Sequence, residues 1–266
     1  MERAPAMSVA IVIPARYGSQ RLQGKPMLNI AGVSLLERVW RIARAAKGAS
    51  RVVIATEDER VAAFARGFGA EAVMTSESCR NGTERVAEAI EAAGIVEDGV
   101  INFQGDAVLT PPWILEKMIA EFSSPATFDV VTPAVRLTDE MLAELRVHKE
   151  KAPSSGTTVT FDLNHNALYF SKQIIPFIRK PGFTSVYRHI GLYGYTQAGL
   201  KRYVALPPSP LENTEGLEQL RAVENGMTVR VVVVDYRGRT HASVDTPEDI
   251  GVVEQLIARE GELVSA

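Results

Sequence analysis

The chain has 266 residues, enough for one large α/β domain or two small ones, and 46% hydrophobic residues is ample for a core, which excludes a disordered chain. A formal net charge of −3 argues against a nucleic-acid partner, so any anion site must be local. No stretch reaches the roughly 18 apolar residues of a membrane span, and the single cysteine, Cys79, cannot form an internal disulfide and fits a reducing compartment. The expectation is a soluble, cytoplasmic protein.

Val9 to Ile13 is a short β-branched run stopped by Pro14, the pattern of a strand buried on both faces. A cationic loop follows, with Arg16, Arg21 and Lys25 among Gly18, Ser19 and Gly24, and no acidic residue stands between Pro14 and Leu36. Glycines permit close backbone approach, and two guanidinium groups and an ammonium supply donors for phosphate oxygens. The loop suits a polyphosphate, although a solvated basic loop has the same composition, and it is neither a Walker loop nor GxGxxG. Val33 to Lys47 has helical apolar spacing, Leu35 to Ala43, with Arg38, Arg41 and Arg44 on the wet side. Val52 to Ala55 reads as a second buried strand, Asp58 as the cap of a helix to about Arg66, and Glu71 to Met74 as another short strand. Strands alternating with helices predict βαβ crossovers and a mostly parallel sheet, with ligands outside the strands' carboxyl ends.

Asn81 to Arg85 reads as a helix entry, with Thr83 as the cap and Gly82 allowing a ligand close. A plain helix start looks the same. Val100 to Phe103 is a strand leading into Gln104-Gly105-Asp106, where a carboxylate at a strand's carboxyl end suits a magnesium ion shared with phosphates, or an Asx turn. From about residue 134 to 210 the pattern changes. A charged helix over Arg136 to Lys151 precedes three β-rich runs, Thr157 to Asp162, Ala167 to Phe170 and His189 to Tyr195, which predict an antiparallel extension. The run Tyr187 to Tyr195 alternates polar and apolar side chains, so one face could meet a substrate, or it is a half-buried strand with a satisfied histidine. Leu211 to Glu224 reads as one amphipathic helix with Gln219 and Arg221 on its polar side, and Val229 to Val234 as a last core strand. Thr246-Pro247 starts a helix to about Ala258, with Asp245 just before the cap as a second carboxylate able to reach a metal.

IPARYGSQRLQGKP, NGTERVAEAI, NFQGD, ALYFSK, YRHIGLYGY, PPSPLENTEGLEQLR and VDTPEDI follow one another in an order and spacing that resembles the sugar-activating cytidylyltransferases of the 3-deoxy-manno-octulosonate (Kdo) type, over about residues 8–260. The resemblance implies a nucleotide-diphospho-sugar transferase fold, a Rossmann-like, mostly parallel sheet flanked by helices. It implies one domain over 8–260, with 135–210 an inserted antiparallel extension for sugar binding and dimerisation. It implies CTP and an acidic 2-keto-3-deoxy sugar as substrates, Mg2+ as cofactor, a homodimer, and a place in lipopolysaccharide core synthesis. Carried over by residue, Arg16, Arg21 and Lys25 match the triphosphate contacts, and Gly82, Arg85 and Gln104 the cytidine side. Asp106 and Asp245 match the metal ligands, and catalysis falls to Arg16, Lys25, Asp106 and Asp245. Lys172, Arg188, His189, Tyr193, Glu218 and Gln219 match the sugar side.

Three departures from the pattern bear on the sugar: Ala107-Val108 after QGD in place of a polar pair, Thr158 aligned with a lysine, and Lys172 in place of an arginine that would clamp a carboxylate in two places. They leave open a related sugar acid such as the 8-amino analogue of Kdo. A non-catalytic nucleotide-binding paralogue is a further alternative, disfavoured because both carboxylates and the full cationic loop are present.

Overall fold

The computed structural model describes residues 7–18, 22–180 and 185–264, and the chain divides into two compact units, one of residues 1–124 with 236–266 and the other of residues 125–235. The predicted Arg21 lies outside the described residues.

In the first unit, β1 (Val9–Ala15) is buried along its whole length and is followed by a short 3-10 turn, Lys25–Met27. A two-stranded ribbon, β2 (Asn29–Ile30) and β3 (Val33–Ser34), leads into α1 (Leu35–Ala45), where Ser34 accepts the Glu37 N–H as N-cap. β4 (Ala49–Thr56), α2 (Glu59–Gly67, capped by Asp58), β5 (Glu71–Met74), α3 (Gly82–Ala92), β6 (Gly99–Asn102) and α4 (Pro112–Phe122) complete the alternation. The strands run parallel in the order β5-β4-β1-β6, so their carboxyl ends share one edge. β-branched residues carry β1 because a strand covered on both faces has no wet side to make polar. The cap of α3 is Asn81, not Thr83: Asn81 Oδ1 accepts the Glu84 N–H at 2.9 Å, while Thr83 is buried and its hydroxyl accepts from Asn102 Nδ2 at 3.2 Å.

In the second unit, β7 (Val130–Arg136), α5 (Asp139–Lys151), β8 (Thr158–Phe161), β9 (Ala167–Ser171), β10 (Tyr187–His189), β11 (Tyr193–Thr196), α6 (Gln197–Val204), α7 (Pro210–Glu215), α8 (Gln219–Glu224) and β12 (Val229–Val234) follow. β12 pairs parallel with β7, while β10 and β11 pair antiparallel with it, and β8 joins β10 to β9 in antiparallel order. The run predicted as one strand over His189 to Tyr195 is two. Thr132 on β7 fills the break, its hydroxyl donating to Leu192 O at 2.7 Å. The helix predicted over Leu211 to Glu224 is also two, because Gly216 takes a left-handed φ of 63° and turns the chain. The turn buries Arg221, read from its spacing as a wet position, against Glu212 on α7, with Nε to Oε2 at 2.8 Å.

The chain then returns to the first unit with α9 (Pro247–Glu260), begun by a capping box of Thr246 and Asp249. Among the described residues no helix is long and apolar enough to cross a membrane.

Candidate active site

In the first unit the loops after β1 and β6 and the first turn of α3 enclose a cavity of about 360 Å³, the size of a small-molecule pocket. Arg16, Gly18 and Lys25 line it from the first loop, Gly82 and Arg85 from α3, and Gln104 and Asp106 from the loop after β6. The backbones meet closely here. A Cβ on Gly105 would stand 2.8 Å from the Pro14 carbonyl oxygen, and one on Gly82 would stand 3.3 Å from the Pro14 ring.

Lys25 Nζ, only 14% exposed, donates to Asp106 Oδ2 at 3.0 Å and lies 3.6 Å from Asp245 Oδ1. Two carboxylates separated by 139 positions in the sequence therefore converge on one cationic centre. Asp245 is held there by Asp249, whose Oδ2 accepts the N–H groups of Asp245 at 2.8 Å and Thr246 at 2.7 Å. Burial alone would raise the Asp249 carboxyl, but those two donors, the Thr246 hydroxyl and the Lys25 charge together outweigh it and hold it below the usual range. Among the described residues no group of three or more His, Cys, Asp or Glu side chains forms a cage. Two carboxylates beside phosphate-binding cations suit a hard ion that takes its remaining ligands from a substrate's phosphates. Arg16 is exposed and makes no ion pair among the described residues, so its guanidinium is available to an anion.

Arg85 is 1% exposed and pairs with Glu57, Nη2 to Oε2 at 3.0 Å, while Nη1 donates to Thr75 Oγ1 at 2.5 Å. Its Nε is buried with no hydrogen-bond partner among the described residues, so this arginine both anchors the pocket wall and lines it. Gln104 donates to Asn102 Oδ1 at 3.1 Å. Sequence reasoning did not single out Glu57 or Thr75, which act on Arg85 from other strand ends, nor Asp249, although its place three residues after Thr246 is the spacing of a capping box. Cys79 is a passive thiol: burial first, and then Glu88, which accepts its S–H at 3.0 Å, push it up to about 11.

The six residues assigned to the sugar all lie in the second unit and form two groups. His189, Tyr193 and Gln219 are buried together: the Tyr193 hydroxyl donates to Gln219 Oε1 at 2.9 Å, and the His189 and Tyr193 rings are 5.7 Å apart. Gln219 Nε2 is buried without a hydrogen-bond partner among the described residues, and the Glu218 charge adds to burial in raising the Tyr193 phenol. His189 Nε2 lies 2.7 Å from Thr132 Oγ1, and since that hydroxyl donates to Leu192 O, the imidazole is the donor. Burial lowers His189 to about 3.

In the other group Lys172 and Arg188 are half-buried, and their charges are felt by Lys149 of α5. Burial, then the charges of Arg188 and Lys172, lower the Lys149 ammonium, which donates to Ser155 O at 2.6 Å and to Lys172 O. Two of the three departures noted in the sequence are packing. Ala107 and Val108 are buried, and so is Thr158, which donates to Gln173 O at 2.6 Å and accepts from Ile175 N at 3.1 Å.

A parallel α/β sheet with a cationic, glycine-bearing loop and an acidic pair at its carboxyl edge defines a nucleotidyltransferase type of site. The sequence matches the cytidylyltransferase family over residues 10–229, and the chain belongs to that family. It is 52% identical over 259 residues, 97% of this chain and the full length of the other, to 3-deoxy-manno-octulosonate cytidylyltransferase from Maricaulis maris (strain MCS10). It is 40% identical to 8-amino-3,8-dideoxy-manno-octulosonate cytidylyltransferase from Shewanella pealeana (strain ATCC 700345 / ANG-SQ1), covering 93% of this chain and 98% of that one. Among solved structures, the fold is similar to a CMP:2-keto-3-deoxy-manno-octonic acid synthetase complexed with CTP, with a TM-score of 0.85, 33% identity, and coverage of 95% of this chain and 99% of that chain. The expected α/β nucleotide-diphospho-sugar transferase fold and nucleotidyltransferase class are met.

Proposed function

We propose that this cytidylyltransferase activates Kdo, converting CTP and Kdo to CMP-Kdo and diphosphate. The observation that carries the reading is the convergence of Asp106 and Asp245 on Lys25, with Lys25, Asp106 and Arg16 lining the cavity. The identity to the Maricaulis maris enzyme supports Kdo as the sugar. In this reaction the sugar's anomeric hydroxyl attacks the α-phosphorus, a P–O bond forms as the bond to the β-phosphate breaks, and negative charge grows on the departing diphosphate. Arg16 and Lys25 hold and neutralise that charge, with Arg21 assigned to the same task by the resemblance alone. Arg85, Gln104 and the open backbone at Gly82 take the cytidine side. Asp106 and Asp245 would hold the magnesium ion, which when bound screens the phosphates. No covalent protein intermediate is required, because positioning and electrostatics suffice.

On the sugar side the reading assigns Lys172 and Arg188 to the carboxylate, and His189, Tyr193, Glu218 and Gln219 to the shape and hydroxyls of the sugar. Of the three departures Lys172 is the one whose side chain is half-buried, while Thr158 and the Ala107-Val108 pair are buried. Diphosphate release should be fast with CTP and Kdo, and slow with ATP or with the 8-amino analogue. Equal rates with CTP and ATP would refute the cytidine assignment, and a higher kcat/KM for the analogue would move the assignment to the amino sugar.

The reading also takes the extension as a dimerisation surface, since Leu163, Leu168 and Phe177 stand exposed there. A dimer is expected in sedimentation at micromolar concentration, and a monomer would count against it.

A further inference from the structure

We infer that Glu57 is a positioning residue for the triphosphate loop, tying the loop's neck to the buried Arg85 so that the two ends of a bound nucleoside triphosphate are met by one rigid frame. The inference rests on the reading of that loop as the triphosphate cradle. The neck is closed by the Gly24 N–H, which donates to the Tyr17 carbonyl at 3.0 Å, with Gly24 in a left-handed φ of 70° that a side chain would strain. Tyr17 is therefore the base on which the loop stands, one residue beyond Arg16. Its own N–H donates to Glu57 Oε1 at 3.1 Å. The other carboxylate oxygen of Glu57 is the one paired with Arg85 Nη2 at 3.0 Å.

Glu57 follows directly on β4, and its side chain is 14% exposed, so neither oxygen is held mainly by water. The Arg60 guanidinium lies 3.5 Å from the centre of the Tyr17 ring and holds the ring while Glu57 holds the backbone. One carboxylate thus hydrogen-bonds the amide next to Arg16 through Oε1 and ion-pairs, without a hydrogen bond, through Oε2 with the guanidinium that lines the pocket. A buried arginine needs a carboxylate for charge, but that need alone does not explain why the second oxygen is spent on the neck of a loop from another strand. Fixing the distance between Arg16 and Arg85 does explain it, because a misplaced cradle loses affinity without losing the fold.

The test uses the full chain carrying Glu57→Gln and, separately, Glu57→Asp. The amide turns a donor toward Arg85, and the shorter acid keeps its charge but cannot span both partners. Binding of CTP with magnesium is measured by calorimetry, and exchange of the Tyr17 and Gly24 amides is followed without nucleotide. CTP affinity is expected to fall about tenfold in Glu57→Asp and further in Glu57→Gln, with faster exchange at Tyr17 and an unchanged KM for the sugar. A merely structural role would lower the fraction of active protein and leave the dissociation constant alone. Should Glu57→Gln fail to fold, Glu57→Asp decides. Unchanged CTP affinity and unchanged Tyr17 exchange in the folded variants would overturn the inference. If the wild type itself fails to bind CTP, the reading of the site falls, and Tyr17 exchange in the variants still shows whether Glu57 anchors the loop.

Discussion

Replacing Asp106 by asparagine should lower turnover of CTP by about 10³-fold, equivalent to about 4 kcal/mol of activation free energy, while the protein stays folded. The substitution keeps the shape of the side chain and removes one of the two negative charges that converge on the Lys25 ammonium. Asp106 stands at the carboxyl edge of the parallel strands, on the loop whose Gly105 approaches Pro14 closely, so its position is set by backbone and survives the change. Lys25 retains Asp245 as partner at 3.6 Å, so stability should fall by no more than about 1 kcal/mol, the range of a partly exposed pair. Asp245→Asn should behave alike, since Asp249 goes on fixing the backbone at 245. The assay is initial-rate diphosphate release at saturating magnesium, with thermal unfolding alongside. Near-normal rates in either variant would remove the shared-ion assignment, and a collapse of the melting temperature would make these carboxylates structural.

Lowering the pH from about 7 to about 5 should cost the protein about 2 kcal/mol of folding stability through His189 alone, roughly a thirtyfold change in the folding equilibrium. Its folded pKa is about 3, far below the ordinary 6.5, because burial leaves no room to hydrate an imidazolium. Below pH 6.5 the unfolded chain takes up a proton that the folded chain refuses, so acid favours unfolding. The contribution is complete above pH 6.5 and is lost progressively as the pH falls toward 3. Thr132 accepts the Nε2 proton in the neutral form, and Phe170 stands edge-on to the ring with centroids 4.9 Å apart, which leaves a second proton no acceptor there. Urea unfolding of the wild type and His189→Gln at both pH values checks this. Whatever the variant's starting stability, it should change less with pH than that of the wild type. Parallel pH dependences would mean that His189 protonates in the folded state, as an imidazole open to a substrate carboxylate would.

The first unit was legible because its signals are local. A run of β-branched residues ended by Pro14, a glycine-bearing loop with three cations and no acid, and a carboxylate after Gln104-Gly105 each act within a few residues, and parallel topology gathers strand ends at one edge. Asp245 was legible for the same reason, because a Thr-Pro helix start marks where its loop must stop.

Burial and long-range pairing were decided only in three dimensions. The alternation of Tyr187 to Tyr195 was compatible with a wet face and with a dry one, and Thr132, far away in the chain, closed the strand break and dried His189. Amphipathic spacing from Leu211 to Glu224 could not announce that Gly216 would turn left-handed and fold Arg221 back onto Glu212. Arg85 could be read as a ligand contact from its place in a helix entry, but Glu57 and Thr75, which hold it, come from other strand ends. Spacing did not announce that Thr158 is a buried hydroxyl holding the chain at residues 173 and 175. Composition and spacing determine which groups are available and which elements they ride on, because those are properties of neighbouring residues. Which groups lose their water, and which distant partner replaces it, depends on what the rest of the chain packs against them, and only the tertiary structure decides that.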